Sequence, residues 1–198
     1  GEGNTEKMKG NNITLPFRRK REGKTHYKKR LKMLLSDKFR LVVRKSLNST
    51  RASIVQYDAN GDKVLFTIDS KNLSKLGWKG NTGNLPSAYL AGMMLGKKAI
   101  QEGIKEAILD IGMNNSTKGS RLYAALAGAI DAGMKIPLGA EVLPPKERIS
   151  GEHISKYAKS IKNDKPRYEK QFYDYLKKGI NPEDIVTHFN EIRGKING

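Results

Sequence analysis

A dense run of cations with interleaved aromatic residues offers the clearest chemistry in this sequence. Residues 17–32, FRRKREGKTHYKKRLK, contain nine Lys or Arg and a single acidic residue, Glu22. Like charges at this spacing repel one another unless an anion lies against them. Guanidinium groups bind phosphate through paired hydrogen bonds, and aromatic rings such as Phe17 and Tyr27 can stack on unpaired bases. The run therefore favours a phosphate-rich polymer as its partner.

The distribution of charge supports the same interpretation. The chain carries a net charge of +18, and residues 14–45 alone hold 13 basic and 2 acidic side chains. A concentrated basic segment indicates nucleic acid or, less often, an acidic membrane surface. Membrane binding would need bulky apolar anchors facing lipid, and Leu31, Leu34 and Leu35 are better placed to dock on a core. RNA is favoured over DNA because the sequence has no helix-turn-helix or zinc-finger pattern.

Composition argues against several other classes of protein. The sequence has no cysteine, which excludes disulfides, thiolate metal sites and cysteine nucleophiles. The histidines, His26, His153 and His188, lie in separate segments without ligand partners at metal spacing. The longest apolar runs are far shorter than the roughly 20 residues of a membrane span, and no apolar signal core begins the chain. We therefore expect a cytoplasmic protein that uses no metal, cofactor or membrane.

Three further polar stretches could extend a phosphate-binding surface. They are RKS at 44–46 with Asn48, WKGNTGN at 78–84, and TKGS at 117–120. Neither glycine-containing loop matches the nucleotide-binding pattern G-x-x-x-x-G-K-[ST]. Both precede predicted helices, whose free N–H groups attract anions, so each is either a phosphate contact or an ordinary turn. Trp78 is equally suited to stacking on RNA and to a place in the core.

Four carboxylates leave an enzymatic alternative open. Asp58, Asp69, Asp110 and Asp131 lie in or near predicted strands and helices, where they could hold a divalent metal for a nuclease. They include no pair at a spacing of three or four residues, and two of them adjoin turns, where Asp is common. A metal-dependent nuclease is therefore the alternative to a binding protein without catalytic activity.

The periodicity of apolar residues predicts the elements that position these groups. Strands are predicted at 40–46, 52–58, 63–69 and 106–112, the last as a buried apolar strand. Helices are predicted at 25–36, 86–103 and 121–133. Asn60-Gly61 is a strong hairpin signal, so the first three strands should form an antiparallel meander. The order β-β-β-α-β-α predicts an α/β fold with a mixed sheet.

Two of the predicted helices have distinctive faces. In the first, Leu31, Leu34 and Leu35 recur at helical spacing, so we expect that side to dock on the core and the lysines to face solvent. The second carries Gly92 and Gly96 on one side, along with alanines. Such small residues would let this helix approach a sheet closely.

Composition also divides the chain into three parts. Residues 1–24 are predicted to be an extended basic arm, disordered without RNA because nothing offsets its charge and its ordering entropy. Residues 25–135 form the predicted α/β RNA-binding core. Residues 136–198 begin with a proline-containing connector and continue as a helical extension, with one helix at 165–179 and another after Asn181.

Several blocks together resemble one known family. They are PFRRKREGKTHYKKRLKMLL, RLVVRKSLN, GWKGNTGNLPSAYLAG, EAILDIG, TKGSRLYAALAGAIDAG and RISGEHI. In this order they are similar to the 5S-rRNA-binding protein eighteen of the large ribosomal subunit, in its archaeal and eukaryotic form. The resemblance runs from about residue 15 to the end and is weakest after residue 157. It implies a ribonuclease-H-like fold of the translational machinery without the catalytic function.

The resemblance also implies partners and site residues. The partners would be 5S rRNA, the large-subunit rRNA and neighbouring proteins of the central protuberance, with no small-molecule substrate. The implied RNA-binding residues are Phe17, Arg18, Arg19, Lys20, Arg21, Lys24, Thr25, Tyr27, Lys28, Arg30, Arg44, Lys45, Ser46, Asn48, Trp78, Lys79, Asn81, Thr82, Asn84, Thr117, Lys118 and Arg121. The sequence departs from the family pattern at His26, at Asn114 and Asn115, and at Ala127. The last three departures bear on the loop before residue 121.

Overall fold

The computed structural model describes residues 14–198, which are built around one mixed four-stranded sheet. The strands are β1 (Arg40–Lys45), β2 (Thr50–Gln56), β3 (Lys63–Asp69) and β4 (Ile108–Asp110). Their order across the sheet is β3-β2-β1-β4, with β1 antiparallel to β2, β2 antiparallel to β3, and β4 parallel to β1. The predicted α/β class, the antiparallel meander and the β-β-β-α-β-α order are confirmed.

Helices make up much of the rest of the described chain. Two lie near the N-terminus, α1 (Arg18–Arg21) and α2 (Tyr27–Leu34). Two more, α3 (Leu85–Gln101) and α4 (Arg121–Asp131), pack against the sheet. The C-terminal helices are α5 (Lys146–Ser150), α6 (Glu152–Ile161), α7 (Lys165–Gln171), α8 (Tyr173–Lys177) and α9 (Ile185–Asn197). Short 3₁₀ helices occupy Ser70–Leu76, Ala140–Val142 and Pro182–Asp184.

Helices α3 and α4 approach each other so closely that side chains are excluded from their contact. A Cβ atom on Gly92 would collide with the backbone of Ala125, and one on Gly128 would collide with the backbone of Tyr89. Gly96 also faces α4. The prediction that Gly92 and Gly96 bring this helix close to the sheet is therefore wrong, because the space they leave is filled by the neighbouring helix.

Two buried clusters hold the layers together. The first lies between the sheet and the α3–α4 pair, and it includes Leu41, Val43, Ile54, Leu95 and Leu126. The second lies between α3 and the C-terminal helices, and it includes Leu73, Tyr89, Phe172, Phe189 and Ile192. The C-terminal helices therefore share a core with α3 instead of forming a separate appendage.

The fourth strand and one C-terminal helix differ from the prediction. β4 has three residues at the edge of the sheet, two of them partly exposed, instead of a covered strand over 106–112. The helix predicted at 165–179 is interrupted at Phe172, whose backbone has φ −110° and ψ 20°. The ring of Phe172 is buried against Tyr168 and Tyr175. Burial of this ring accompanies the break between α7 and α8.

The N-terminal region differs most from the prediction. Residues 18–21 form one helical turn instead of an extended arm, and residues 1–13 of that predicted arm lie outside the described range. Leu31 and Leu35 are 61% and 78% exposed, so the predicted docking of this side of α2 is wrong. The side of α2 that carries Arg30 and Met33 faces the sheet instead, and Arg30 forms an ion pair with Asp62 in the β2–β3 turn.

Candidate nucleic-acid interface

The cations of α1 and α2 lie on the protein surface, as their sequence predicts. Every residue of α1 is exposed, and no residue of α2 is buried. Beside them, Phe17 and Tyr27 contact each other with ring centroids 5.1 Å apart and planes inclined by 53°. Phe17 is 71% exposed. The pair therefore presents aromatic surface next to a cluster of positive charges.

Part of this charge is neutralised within the protein. The Nζ of Lys24 lies 2.8 Å from Oε2 of Glu22, and the Nε of Arg19 donates to Oγ1 of Thr25 at 2.9 Å. Other cations of this region have no ion-pair or hydrogen-bond partner for their side chains anywhere in residues 14–198: Lys20, Arg21, Lys28, Lys29 and Lys32. The positive charge of this surface is therefore only partly neutralised by acidic side chains of residues 14–198.

Arg30, one of the predicted RNA contacts, joins α2 to the turn between β2 and β3. Its two terminal nitrogens each donate to an oxygen of Asp62 at 2.8 Å. Hydrogen bonding from Arg30, and then from Arg40, lowers the pKa of Asp62 to about 2, against the effect of partial burial. The same hydrogen bond raises the pKa of Arg30. Both shifts favour the ionised pair at neutral pH.

A buried arginine, which the sequence did not predict as part of this site, extends the network. Arg40 on β1 is 2% exposed, and its terminal nitrogens lie 2.6 Å from Asp62 and 3.2 Å from Asp110. Arg44, two pleats further on, donates to the carbonyl of Asp110 at 2.7 Å and lies 3.1 Å from its carboxylate. Two arginines four residues apart, and therefore on the same face of one strand, were the available signal. A cavity of about 440 Å³ separates this cluster from α2.

A second surface brings together stretches that are far apart in the sequence. The hydroxyl of Thr82 donates to the carbonyl of Asn48 at 2.6 Å. The guanidinium of Arg121 donates to the carbonyls of Gly83 at 2.8 Å and Ser46 at 3.0 Å. Arg121 therefore fixes the turn after β1 against the loop before α3, and this use occupies two of its terminal nitrogens.

Trp78 is a core residue in this structure. Its side chain is 4% exposed, and its Nε1 donates to the carbonyl of Asn81 at 3.2 Å. Its ring stacks on His188 of α9, with centroids 5.1 Å apart and planes inclined by 13°. Of the two roles that the sequence left open, the structure has the core role, because the ring is buried and stacked on His188.

Other predicted contacts are also used within the protein. Asn84 begins α3, since its Oδ1 accepts the N–H of Ser87 at 3.0 Å. Lys118 lies 3.1 Å from Glu141, and the N–H of Gly119 donates to a protein carbonyl instead of pointing at an open anion site. The predicted residues of this surface whose side chains remain exposed and without a partner in residues 14–198 are Lys45, Asn48, Lys79 and Thr117.

The carboxylates considered for a nuclease have structural partners. Asp58 accepts an N–H within the β2–β3 turn, and Asp69 accepts one at the start of a 3₁₀ helix. Asp110 pairs with two arginines, and Asp131 accepts a tyrosine hydroxyl at 2.6 Å. Between residues 14 and 198, no three His, Asp or Glu side chains are grouped so that they could hold a metal ion. No helix of that range is long and apolar enough to cross a membrane.

These features define a class of protein: a mixed α/β fold with an incompletely neutralised cationic surface and exposed aromatic residues beside it. Comparison with known proteins agrees with this class. The family model described as "Ribosomal large subunit proteins 60S L5, and 50S L18" matches residues 12–106 and 101–139. A curated relative, "Large ribosomal subunit protein uL18" of Methanococcus maripaludis, is 52% identical over 182 residues.

The aligned region covers 92% of this chain and 94% of that relative. At this identity and coverage, the chain belongs to the uL18 family of large-subunit ribosomal proteins, of archaeal type. The resemblance found in the sequence blocks is thus confirmed. The cationic helices lie within the part of the chain that the family model matches.

Proposed function

We propose that this protein is a non-catalytic component of the large ribosomal subunit that binds 5S rRNA. It anchors that RNA to the large-subunit rRNA in the central protuberance. The observation that carries the proposal is the group of unpaired cations on α1 and α2 beside the exposed Phe17–Tyr27 pair. Phosphate oxygens would neutralise these charges, and unpaired bases could stack on the aromatic pair. Membership of the family supports a place in the ribosome.

The predicted site residues divide into two roles. Those of α1 and α2 with unpaired side chains contact phosphate directly, and Lys45 and Lys79 extend the surface at the other end of β1. Arg30, Arg44 and Arg121 act mainly by positioning, since each is held by carboxylates or carbonyls of the protein. This division predicts which substitutions change the dependence of binding on salt.

The proposed surroundings follow from the same function. The protein would act in ribosomes of the cytoplasm, with 5S rRNA, large-subunit rRNA and other proteins of the central protuberance as neighbours. It would need no small-molecule substrate, cofactor or membrane. Incubation with Mg²⁺ and labelled 5S transcript should give binding without cleavage, whereas cleavage would favour the nuclease alternative.

Titration of a 5S rRNA transcript at several salt concentrations tests the proposal. A variant with Lys20, Arg21, Lys28 and Lys32 changed to Gln loses four unpaired positive charges from the proposed interface. If each meets a phosphate, the slope of log affinity against log salt should fall in magnitude by about 3. The free energy of unfolding should change little, because these side chains are exposed.

The matched control removes the same charge from the C-terminal helices. It changes exposed lysines that have no partner in residues 14–198: Lys159, Lys165, Lys170 and Lys178. Its salt slope should stay close to that of the unaltered protein. Equal slopes for both variants would show that net charge alone drives binding, and would contradict the proposed interface.

A further inference from the structure

A cavity without charged side chains lies beside the cationic surface at the end of β1. It has a volume of about 470 Å³ and lies between the turn after β1, the loop before α3, α6 and the α7–α8 junction. No Asp, Glu, Lys or Arg lines it, although 29% of the chain consists of these residues. Such a lining suits an uncharged chemical group, not a phosphate.

The rim of this cavity carries unused hydrogen-bonding groups. Asn48 and Gln171 are exposed, and their side-chain amides bond to no other residue in the described chain. Asn81 uses its Oδ1 to accept the N–H of Gly83, which leaves its Nδ2 as a donor. The Nδ1 of His153 is buried without a hydrogen-bond partner in the range 14–198. A ligand with both donors and acceptors would satisfy these groups.

Aromatic side chains form the walls of the same cavity. Phe172 and Tyr175 are buried and meet edge to face at 5.7 Å, while Tyr157 is 39% exposed at the rim. Burial, followed by the charge of Arg148, lowers the pKa of His153, so its ring is neutral at pH 7. A neutral imidazole can donate or accept according to its tautomer.

We propose that this cavity binds one unpaired base of RNA, which enters from the strand whose phosphates meet Lys45 and Lys79. Side-chain amides read the hydrogen-bonding edges of bases, and aromatic rings supply a surface for stacking. Leu47 and Gly83 line the cavity, and their carbonyls accept hydrogen bonds from Arg121. The cavity therefore lies next to the loops that Arg121 holds together. The inference rests on the proposed function and gives the C-terminal helices a part in RNA binding.

A built-in fluorophore can report occupancy of the cavity. Trp78 is the only tryptophan in the chain, and it donates to the carbonyl of Asn81, which lines the cavity. The full chain is titrated with RNA pentamers of A, C, G or U and with an abasic ribose-phosphate pentamer of equal charge. At least one base-bearing pentamer should change the fluorescence of Trp78, and the change should reach a plateau as the binding site fills. The abasic pentamer should bind the cationic surface without that change.

Variants of the rim test the assignment without disturbing the core. The change Gln171→Ala should weaken the Trp78-detected affinity roughly fivefold and leave binding of the abasic pentamer unaltered. The matched control is Gln101→Ala, at an exposed amide away from the cavity. Equal affinities for the rim variant and the control would overturn the inference. If, in that case, the rim variant still bound 5S transcript with an unchanged dependence of affinity on salt, the proposed function would remain valid without the cavity.

Photo-crosslinking in assembled subunits separates RNA from a protein occupant. The change Tyr157→p-benzoylphenylalanine places a reactive group at the rim of the cavity. A cross-link to rRNA supports the inference. A cross-link to a neighbouring protein, or none at all, overturns it.

Discussion

Helices α2 and α3 both carry apolar residues at helical spacing, yet the protein uses them in opposite ways. Most residues of α3 are buried, whereas none of α2 is. Leu31 of α2 is exposed and Leu34 is only partly buried, whereas Arg30 pairs with Asp62 on the side that faces the sheet. Apolar spacing therefore predicts that a helix forms, but long-range ion pairs can decide which side of it is covered.

The two helices also differ in what fixes their position. α3 is held by backbone contact with α4 at Gly92 and Gly128, which tolerates no added atom. Within residues 14–198, α2 is joined to the sheet by the ion pair between Arg30 and Asp62. We expect the first arrangement to determine global stability and the second to determine the geometry of RNA binding. The following substitutions test this contrast.

The largest effect is expected for Gly128→Ala. Its Cβ would overlap backbone atoms of Tyr89 and Met93, which cannot move without separating the helices. The free energy of unfolding in urea should fall by about 3 kcal/mol or more. The control Gly194→Ala lies in α9 with no heavy atom within 4 Å of the added Cβ. It should raise stability by about 0.5–1 kcal/mol, and equal losses in both variants would contradict the close contact.

The next effect concerns the ion pair of α2 and its dependence on pH. The pKa of Asp62 is about 2 in the folded protein and near 3.8 without its partners. Above pH 4 the ionised pair contributes about 1 kcal/mol to stability, since solvent screens this partly exposed carboxylate, and the contribution is lost as the pH falls from 4 to 2. Asp62→Asn should therefore cost stability at pH 5 and much less at pH 2. Urea unfolding across this range measures the difference.

The control for this experiment is Asp174→Asn, which removes an exposed carboxylate without an ion pair in residues 14–198. Its effect should vary little between pH 5 and pH 2. If the cost of Asp62→Asn were constant over the same range, the low pKa of Asp62 would be refuted.

A smaller effect is expected for Arg121→Lys. Lysine keeps the charge but cannot hold the carbonyls of Ser46 and Gly83 together with a planar fork. Affinity for 5S transcript should fall by about fivefold, with the salt slope unchanged. Arg51→Lys, at an exposed pair on β2, serves as the control and should leave affinity unaltered. A reduced slope for Arg121→Lys would mean that this guanidinium meets a phosphate.

The smallest effect is expected for Leu31→Ala. Since this side chain is exposed on α2, the free energy of unfolding should change by no more than about 0.5 kcal/mol. The same replacement at Leu90, which is fully buried in α3, should cost about 2–5 kcal/mol. A large loss at Leu31 would restore the sequence-based expectation that this side of α2 docks on the core.

The sequence predicted the parts of the fold that depend on local patterns. β3 agrees with its predicted range, and α3 and α4 start within one residue of theirs. Gly92 shows what local patterns cannot predict. A small residue indicates close packing, but not whether a helix or a sheet fills the space beside it. A continuous apolar run likewise gave no sign that β4 would be short and lie at an edge.

The candidate site was predicted in composition but not in detail. A count of charges cannot show which arginines find a carboxylate within the protein, and Arg40 meets Asp110 across 70 residues of sequence. The burial of Trp78 likewise depends on His188, which lies in the last helix. Contacts over such separations are set by the tertiary fold, so sequence patterns alone could not assign these side chains.

The burial of α9 against α3 has a consequence for synthesis of the chain. Ile185, Phe189, Ile192 and Ile196 complete the same cluster that contains Tyr89 of α3. While a ribosome is still translating, the side of α3 that carries Tyr89 is covered only in part until the codons for these residues have been read. During that interval the nascent polypeptide exposes both apolar surface and the cations of α1 and α2, and is prone to aggregate. A chaperone that covers both surfaces would prevent this.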